Sequence, residues 1–132
     1  MDVNRFKRYA NQVKKDAEGL DRRLIARVSG VTFEGRQAFL ARVGKSTEVK
    51  LERDRRNEHD FYAVKVLALL DSEWIHVGFV PRPMCKMVSR SIDSGVALAC
   101  SVHRRSGGME DDYGDQLNYG LEINIIPERQ EV

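Results

Sequence analysis

The alternation of apolar and polar residues along the chain predicts six short β-strands. EVKLERD (48–54) alternates in the way that is typical of a strand with one buried face. YAVKVLALL (62–70) and WIHVGFV (74–80) flank a tight turn at Asp71-Ser72-Glu73 and are expected to form a hairpin. The other three strands are expected at RRLIARVSGV (22–31), VALACSVHRR (96–105) and YGLEINII (119–126).

A spacing of three to four residues between apolar positions predicts helices. Residues 1–21 show this spacing and are expected to form an amphipathic helix that docks on the domain. The segment PMCKMVSRSIDSG (83–95) shows it again, begins with proline and ends with glycine, as short helices often do. One further helical turn is expected around residues 37–42, between the first two strands.

Six strands with a helix between the fourth and the fifth predict a mainly β fold with accessory helices, namely a small six-stranded OB-like or SH3-like barrel. A doubly wound sheet is disfavoured, because strands two to four have no helices between them. With 132 residues the chain has room for one core. We therefore expect an N-terminal helix at 1–21, a barrel domain at 22–127 and a tail at 128–132.

The composition is that of a globular protein, with 42% hydrophobic and 32% charged residues. No apolar run reaches the length of a membrane span, and the N-terminus lacks the continuous apolar stretch of a secretory signal. These features predict an intracellular protein without membrane partners, cytoplasmic in a bacterium or phage-infected cell and nuclear in a eukaryote. Cys85 and Cys100 lie in no ligand spacing and are expected to be core thiols.

The net charge of +2 hides a gradient along the chain. Residues 1–56 carry 15 Lys and Arg against 8 Asp and Glu, whereas residues 106–132 carry 1 against 7. The basic part suits a partner that carries phosphates. A well-solvated surface with an acidic tail explains the same distribution, so the charge alone leaves both interpretations open.

The charged segment RDRRNEHD (53–60) is the main candidate for chemistry. Glu58, His59 and Asp60 are the residue types of a metal-dependent nuclease, but a tripeptide without further placed ligands does not make a metal site. The three histidines form no HxH, HExxH or HxxxH motif, and the chain has no GxxxxGK[ST], GxGxxG or GxSxG. We therefore expect no catalytic residues, no metal and no cofactor.

Binding is the better hypothesis, because rings beside cationic loops can stack bases and hold phosphates. Phe33, His59 and Arg82 fall in or beside connections between strands. Taken singly, Phe33 is better explained as a core residue, Arg82 as a solvated residue and Asp60 as the cap of a turn.

Three segments together resemble one known family. GVTFEGRQ (30–37), LERDRRNEHDFYAVKV (51–66) and HVGFVPRPM (76–84) resemble the HIRAN domain, which occurs attached to Snf2-type helicases and as small stand-alone bacterial or phage proteins. The resemblance covers roughly residues 23–126. Its most specific part is an Arg-x-x-x-Asn-x-His-Asp loop before an Ala-Val-x-Val strand, followed by Val-Gly-aromatic-Val-Pro.

The resemblance implies a non-enzymatic module that captures single-stranded DNA at a free 3′ end, acts in DNA repair and works with a helicase or nuclease partner. By the same resemblance the terminal base stacks between Phe33 and His59, and Asp60 accepts a hydrogen bond from the 3′-hydroxyl. Asn57 would shape the loop and Arg82 would hold a phosphate. The full set of implied DNA-binding residues is Phe33, His59, Asp60, Asn57, Arg82, Thr32 and Arg56.

The chain also departs from the family pattern. Glu58, Phe61 and Tyr62 stand where members often carry proline and a Lys/Asn or Pro/Asn pair, and Thr32 and Glu34 flank the aromatic residue. Fewer cations weaken the attraction for phosphate. The alternatives are a protein-interaction or regulatory module that keeps the barrel without binding DNA and, more remotely, a metal-dependent nuclease.

Overall fold

A computed structural model of the protein describes Leu20 and residues 22–128. Apart from Leu20, the helix expected at residues 1–21 lies outside the described residues, and so does the tail expected at 128–132 apart from residue 128. Within the described part no helix is long and apolar enough to cross a membrane.

The fold is mainly β, as the sequence predicts. Helix α1 (Arg36–Leu40) follows the first strand, and helix α2 (Arg82–Asp93) lies between the fourth and fifth strands. The strands of the described chain are β1 (Leu24–Arg27), β2 (Val49–Arg53), β3 (Val64–Leu70), β4 (Glu73–Phe79), β5 (Leu98–Ser106) and β6 (Gly120–Pro127).

The strands form two antiparallel three-stranded sheets, in the orders β1-β6-β5 and β2-β3-β4. The β3–β4 hairpin turns through Asp71 and Ser72, whose positive φ angles of 50° and 67° belong to the turn that suits the right-handed twist of its strands. The sheets do not close into a barrel, so the six-stranded OB-like or SH3-like barrel is not confirmed. The reason is that no continuous ladder joins the edges of the two sheets within the described chain.

The two sheets meet beyond the end of β1. There Ser29 and Phe79 exchange both main-chain hydrogen bonds, with N–H···O distances of 2.8 and 2.9 Å. The crossing requires glycine at position 78, because a Cβ atom there would lie 2.4 Å from Cγ1 of Val28 and 2.5 Å from the carbonyl oxygen of Ser29. Gly78 thus allows the close approach that fixes Phe79.

The core lies between the two sheets and under α2. Its apolar residues come from every strand and both helices, and burying them supplies most of the stabilisation of a small domain. The most deeply buried are Ala26, Leu40, Val43, Val64, Val66, Ala68, Val77, Val88, Leu121, Ile123 and Ile125. Cys85 is also buried, as expected of a core thiol, whereas Cys100 is half-buried.

Candidate nucleic-acid interface

A pocket of about 230 Å³ opens where the loop between β2 and β3, the end of β4 and the start of α2 meet. It brings together four residues that the sequence analysis selected, from two segments more than twenty residues apart. Its lining consists of Ser29, Asn57, His59, Asp60, Ala63, Phe79, Val80 and Arg82.

Asn57 shapes the loop that carries two of these residues. Its Oδ1 accepts the backbone N–H groups of His59 and Asp60, both at 2.9 Å, and its Nδ2 donates to the carboxylate of Asp54 at 3.1 Å. Such side-chain to backbone bonds hold a turn in one conformation. His59 and Asp60 are therefore presented from a single fixed turn, with the His59 side chain exposed.

The carboxylate of Asp60 is held from several sides. Its Oδ1 accepts the N–H of Tyr62 at 2.8 Å, and its Oδ2 accepts the thiol of Cys85 at 3.4 Å. The side chain remains 22% exposed, and Nε of Arg82 lies 3.9 Å from Oδ2. Since each carboxylate oxygen can accept two hydrogen bonds, Oδ2 retains acceptor capacity at the pocket wall.

Cys85 acts on this carboxylate as a neutral donor. Burial, and then the hydrogen bond to Asp60, raise the pKa of the thiol to about 11. The thiol therefore stays protonated at neutral pH and adds no negative charge to the pocket.

Arg82 begins α2 at the rim of the pocket. Its side chain is 77% exposed, and at that exposure an ion pair as long as the one with Asp60 contributes little to stability. The guanidinium group is therefore available to an anion that enters the pocket, and its planar fork suits a phosphate.

Phe79 lines the pocket although the sequence analysis did not select it. The ring packs edge-to-face on His76, with ring centroids 4.7 Å apart, and the guanidinium carbon of Arg36 lies 5.4 Å from its centroid. The residue falls within HVGFVPRPM, but its alternation with apolar neighbours indicated only a strand position. The bridge to Ser29, which joins residues fifty positions apart, is what places the ring at the pocket.

Arg36 and His76 support Phe79 from below. The buried Arg36 donates to the carbonyl oxygen of Gly30 at 2.7 Å and approaches Nδ1 of His76 at 3.4 Å. Nε2 of His76 lies 2.8 Å from the carbonyl oxygen of Gly78, which makes Nε2 the protonated nitrogen and Nδ1 the acceptor. Burial, followed by the charge of Arg36, lowers the pKa of His76 below 6.5, so the imidazole is neutral.

Phe33 lies beside the pocket rather than in its lining. It is 66% exposed in the turn before α1, where Glu34 and Gly35 have positive φ angles of 54° and 73°. Gly30 lies close to both this ring and that of Phe79. A Cβ added to Gly30 would be 3.9 Å from the ring of Phe33 and 3.6 Å from the ring of Phe79, so the two rings lie on the same small region of the surface.

Two more of the predicted site residues also lie outside the pocket lining. Thr32 is exposed next to Phe33, and Arg56 is exposed in the loop between β2 and β3. Among the residues that the structure describes, no group of three or more His, Cys, Asp or Glu side chains is placed to hold a metal ion.

Comparison with known protein families agrees with the resemblance noted in the sequence. The model of the HIRAN domain matches residues 25–126, which is most of the chain and includes every residue that lines the pocket. No curated protein and no solved structure matches the chain.

Proposed function

Because the chain belongs to the HIRAN domain family, whose domain is a DNA-binding domain, we propose that it binds single-stranded DNA at a free 3′-hydroxyl end. A HIRAN domain is typically non-catalytic on its own, so the proposed role is that of a binding module. The observation that carries the proposal is the pocket in which His59, Asp60 and Arg82 meet beside Phe79.

In this proposal the terminal base stacks between Phe33 and His59, above Phe79. Two observations support this placement: Phe33 and His59 are exposed, and the rings of Phe33 and Phe79 both lie within 4 Å of the position that a Cβ would take on Gly30. Stacking contributes roughly 1–3 kcal/mol per base and tolerates every base, because each has a flat π face. The module would therefore bind ends without reading their sequence.

Asp60 is the residue proposed to recognise the end itself. Its Oδ2 would accept the proton of the 3′-hydroxyl, while Arg82 would bind the phosphate on the 5′ side of the same nucleotide. A phosphate in place of the hydroxyl would meet the negative charge of Asp60 at about 4 Å, at a cost of about 1 to 4 kcal/mol. The affinity for a 3′-phosphate end should accordingly be lower by about fivefold to several hundredfold.

Fluorescence anisotropy with two otherwise identical oligonucleotides, one ending in 3′-hydroxyl and one in 3′-phosphate, tests the proposal. The variant Asp60→Asn keeps an oxygen for the N–H of Tyr62 but removes the charge, so it should bind both ends with similar affinity. Phe33→Ala should weaken binding to both. Asp71→Asn is the matched control, because Asp71 is an exposed carboxylate in the β3–β4 turn, and it should behave as wild type.

Equal affinity of the wild type for the two ends would refute the recognition of the hydroxyl. Absence of binding even at low salt would refute DNA binding and favour the protein-interaction alternative. The dependence of the affinity on salt concentration gives a further check. Because the proposed site makes few phosphate contacts, the affinity should fall only slowly as the salt concentration rises.

A further inference from the structure

A second pocket, of about 390 Å³, lies next to the first. It starts at the residue that follows Asp60 in the chain and reaches the last turn of α2. Its lining consists of Phe61, Tyr62, Arg90, Asp93 and Ser94.

The ring of Phe61 is an exposed part of this pocket. It is 70% exposed and packs edge-to-face on Tyr62, with centroids 5.2 Å apart and planes at 84°. The guanidinium carbon of Arg53 lies 5.7 Å from the Phe61 centroid. A large apolar ring that is held by neighbours but open to solvent is a platform on which a flat group can stack.

A line of cations connects the two pockets. Arg82, Lys86 and Arg90 follow each other at four-residue intervals on α2, which places them on nearly the same side of the helix, about 6 Å apart along its axis. Arg82 lines the first pocket and Arg90 the second. Lys86 and Arg90 lie over the Tyr62 ring, with Nζ and Cζ at 5.5 and 5.9 Å from its centroid.

The charge of this surface is not balanced by the nearby carboxylate. Asp93 accepts hydrogen bonds from Arg53 at 3.1 Å and from Arg55 at 2.7 Å, so two arginines already hold its charge. Neither Lys86 nor Arg90 has a carboxylate partner among the described residues, and Nε of Arg90 is buried without a hydrogen-bond acceptor. The surface therefore carries a net positive charge beside an open ring.

We infer that Phe61, Tyr62, Lys86 and Arg90 form a second nucleotide subsite, in which a base on the 5′ side of the captured end stacks on Phe61. The phosphates between the two bases would follow Arg82, Lys86 and Arg90 along α2. This inference rests on the proposed function, because the strand must enter from the first pocket. A polyanion with flat groups matches both the cations and the ring, and the continuity with Arg82 favours a single strand that occupies both pockets.

The test compares two oligonucleotides of about ten nucleotides, a length that one such domain can cover. Both end in a 3′-hydroxyl, and in one of them every base except the terminal one is replaced by an abasic site. For the wild type, the intact oligonucleotide should bind about fivefold or more tightly than the abasic one. Phe61→Ala should remove this difference by weakening only the binding of the intact oligonucleotide.

Lys86→Gln and Arg90→Gln should weaken the binding of both oligonucleotides, and each should lower the slope of log K against log salt concentration by about 0.7, the value for one phosphate contact on a single strand. The matched control for Phe61→Ala is Trp74→Ala. Trp74 is also an exposed aromatic residue beside a cation, since Nζ of Lys50 lies 4.3 Å from its ring centroid, and it lies at the opposite end of β4 from Phe79. The matched control for the cations is Lys45→Gln, an exposed lysine in the connection between α1 and β2. Both controls should bind as wild type.

The inference is overturned if Phe61→Ala binds the intact oligonucleotide as tightly as the wild type. If the same variant also loses the binding of an acidic peptide, polyglutamate, while its oligonucleotide affinity is unchanged, the inference is overturned in favour of a surface for a protein partner. In both cases the preference for 3′-hydroxyl ends would persist, whereas failure of the proposed function would remove that preference from the wild type itself.

Discussion

Replacing Gly78 by alanine should destabilise the domain strongly, because it acts on the crossing between the two sheets. The added Cβ would lie 2.4 Å from Cγ1 of Val28 and 2.5 Å from the carbonyl oxygen of Ser29. The second contact is with main-chain atoms, so a change of side-chain rotamer cannot relieve it. The two chain segments would have to separate, and the paired hydrogen bonds between Ser29 and Phe79 would lengthen.

Adding atoms to a tightly packed site typically lowers the free energy of unfolding by about 1–3 kcal/mol. Because the contact with Ser29 involves main-chain atoms, we expect Gly78→Ala to lower it by about 3 kcal/mol, the upper end of that range. For a chain of this size each kcal/mol lowers Tm by about 4 °C, so the melting temperature should fall by about 12 °C. Because the crossing positions Phe79 in the first pocket, oligonucleotide affinity should fall too, under conditions in which the variant remains folded.

Thermal unfolding followed by circular dichroism measures the effect, with Gly44→Ala as the matched control. Gly44 has no atom within 4 Å of the added Cβ, so its replacement should leave Tm nearly unchanged. A Gly78→Ala variant that melts within about 2 °C of the wild type, less than the shift for 1 kcal/mol, would refute the requirement for glycine at the crossing.

Two further predictions concern the supports of the first pocket. Asn57→Ala removes the acceptor of two backbone N–H groups and should lower the free energy of unfolding by about 1 to 3 kcal/mol, together with oligonucleotide affinity. An unchanged urea midpoint would contradict this. His76 should titrate below 6.5 by NMR, since burial and Arg36 disfavour its charged form. As the pH falls, His76 therefore takes up its proton in the unfolded chain before it does so in the folded protein. The free energy of unfolding should accordingly decrease as the pH drops below 6.5. A measured pKa of His76 at or above 6.5 would refute the neutral imidazole.

Several elements could be predicted from the sequence because local interactions decide them. The alternation in residues 48–54 and the short turn after Leu70 correspond to β2 and the β3–β4 hairpin, and the spacing of apolar residues after Pro83 corresponds to most of α2. Closure into a barrel could not be predicted in this way, since it depends on which sheet edges pair. Here the edges meet at a bridge that the missing Cβ of Gly78 permits.

In the candidate site, too, local interactions decide some features and tertiary packing decides the others. The sequence by itself determined the turn that presents His59 and Asp60, because Asn57 lies within three residues of both and bonds to their amides. Only the tertiary structure decided that Phe79 enters the pocket, that Phe33 lies at its edge, and that α2 carries its cations on towards Phe61. The physical reason is that hydrogen bonds within a turn depend on neighbours in the chain, whereas the relative position of distant side chains depends on how the two sheets and α2 pack.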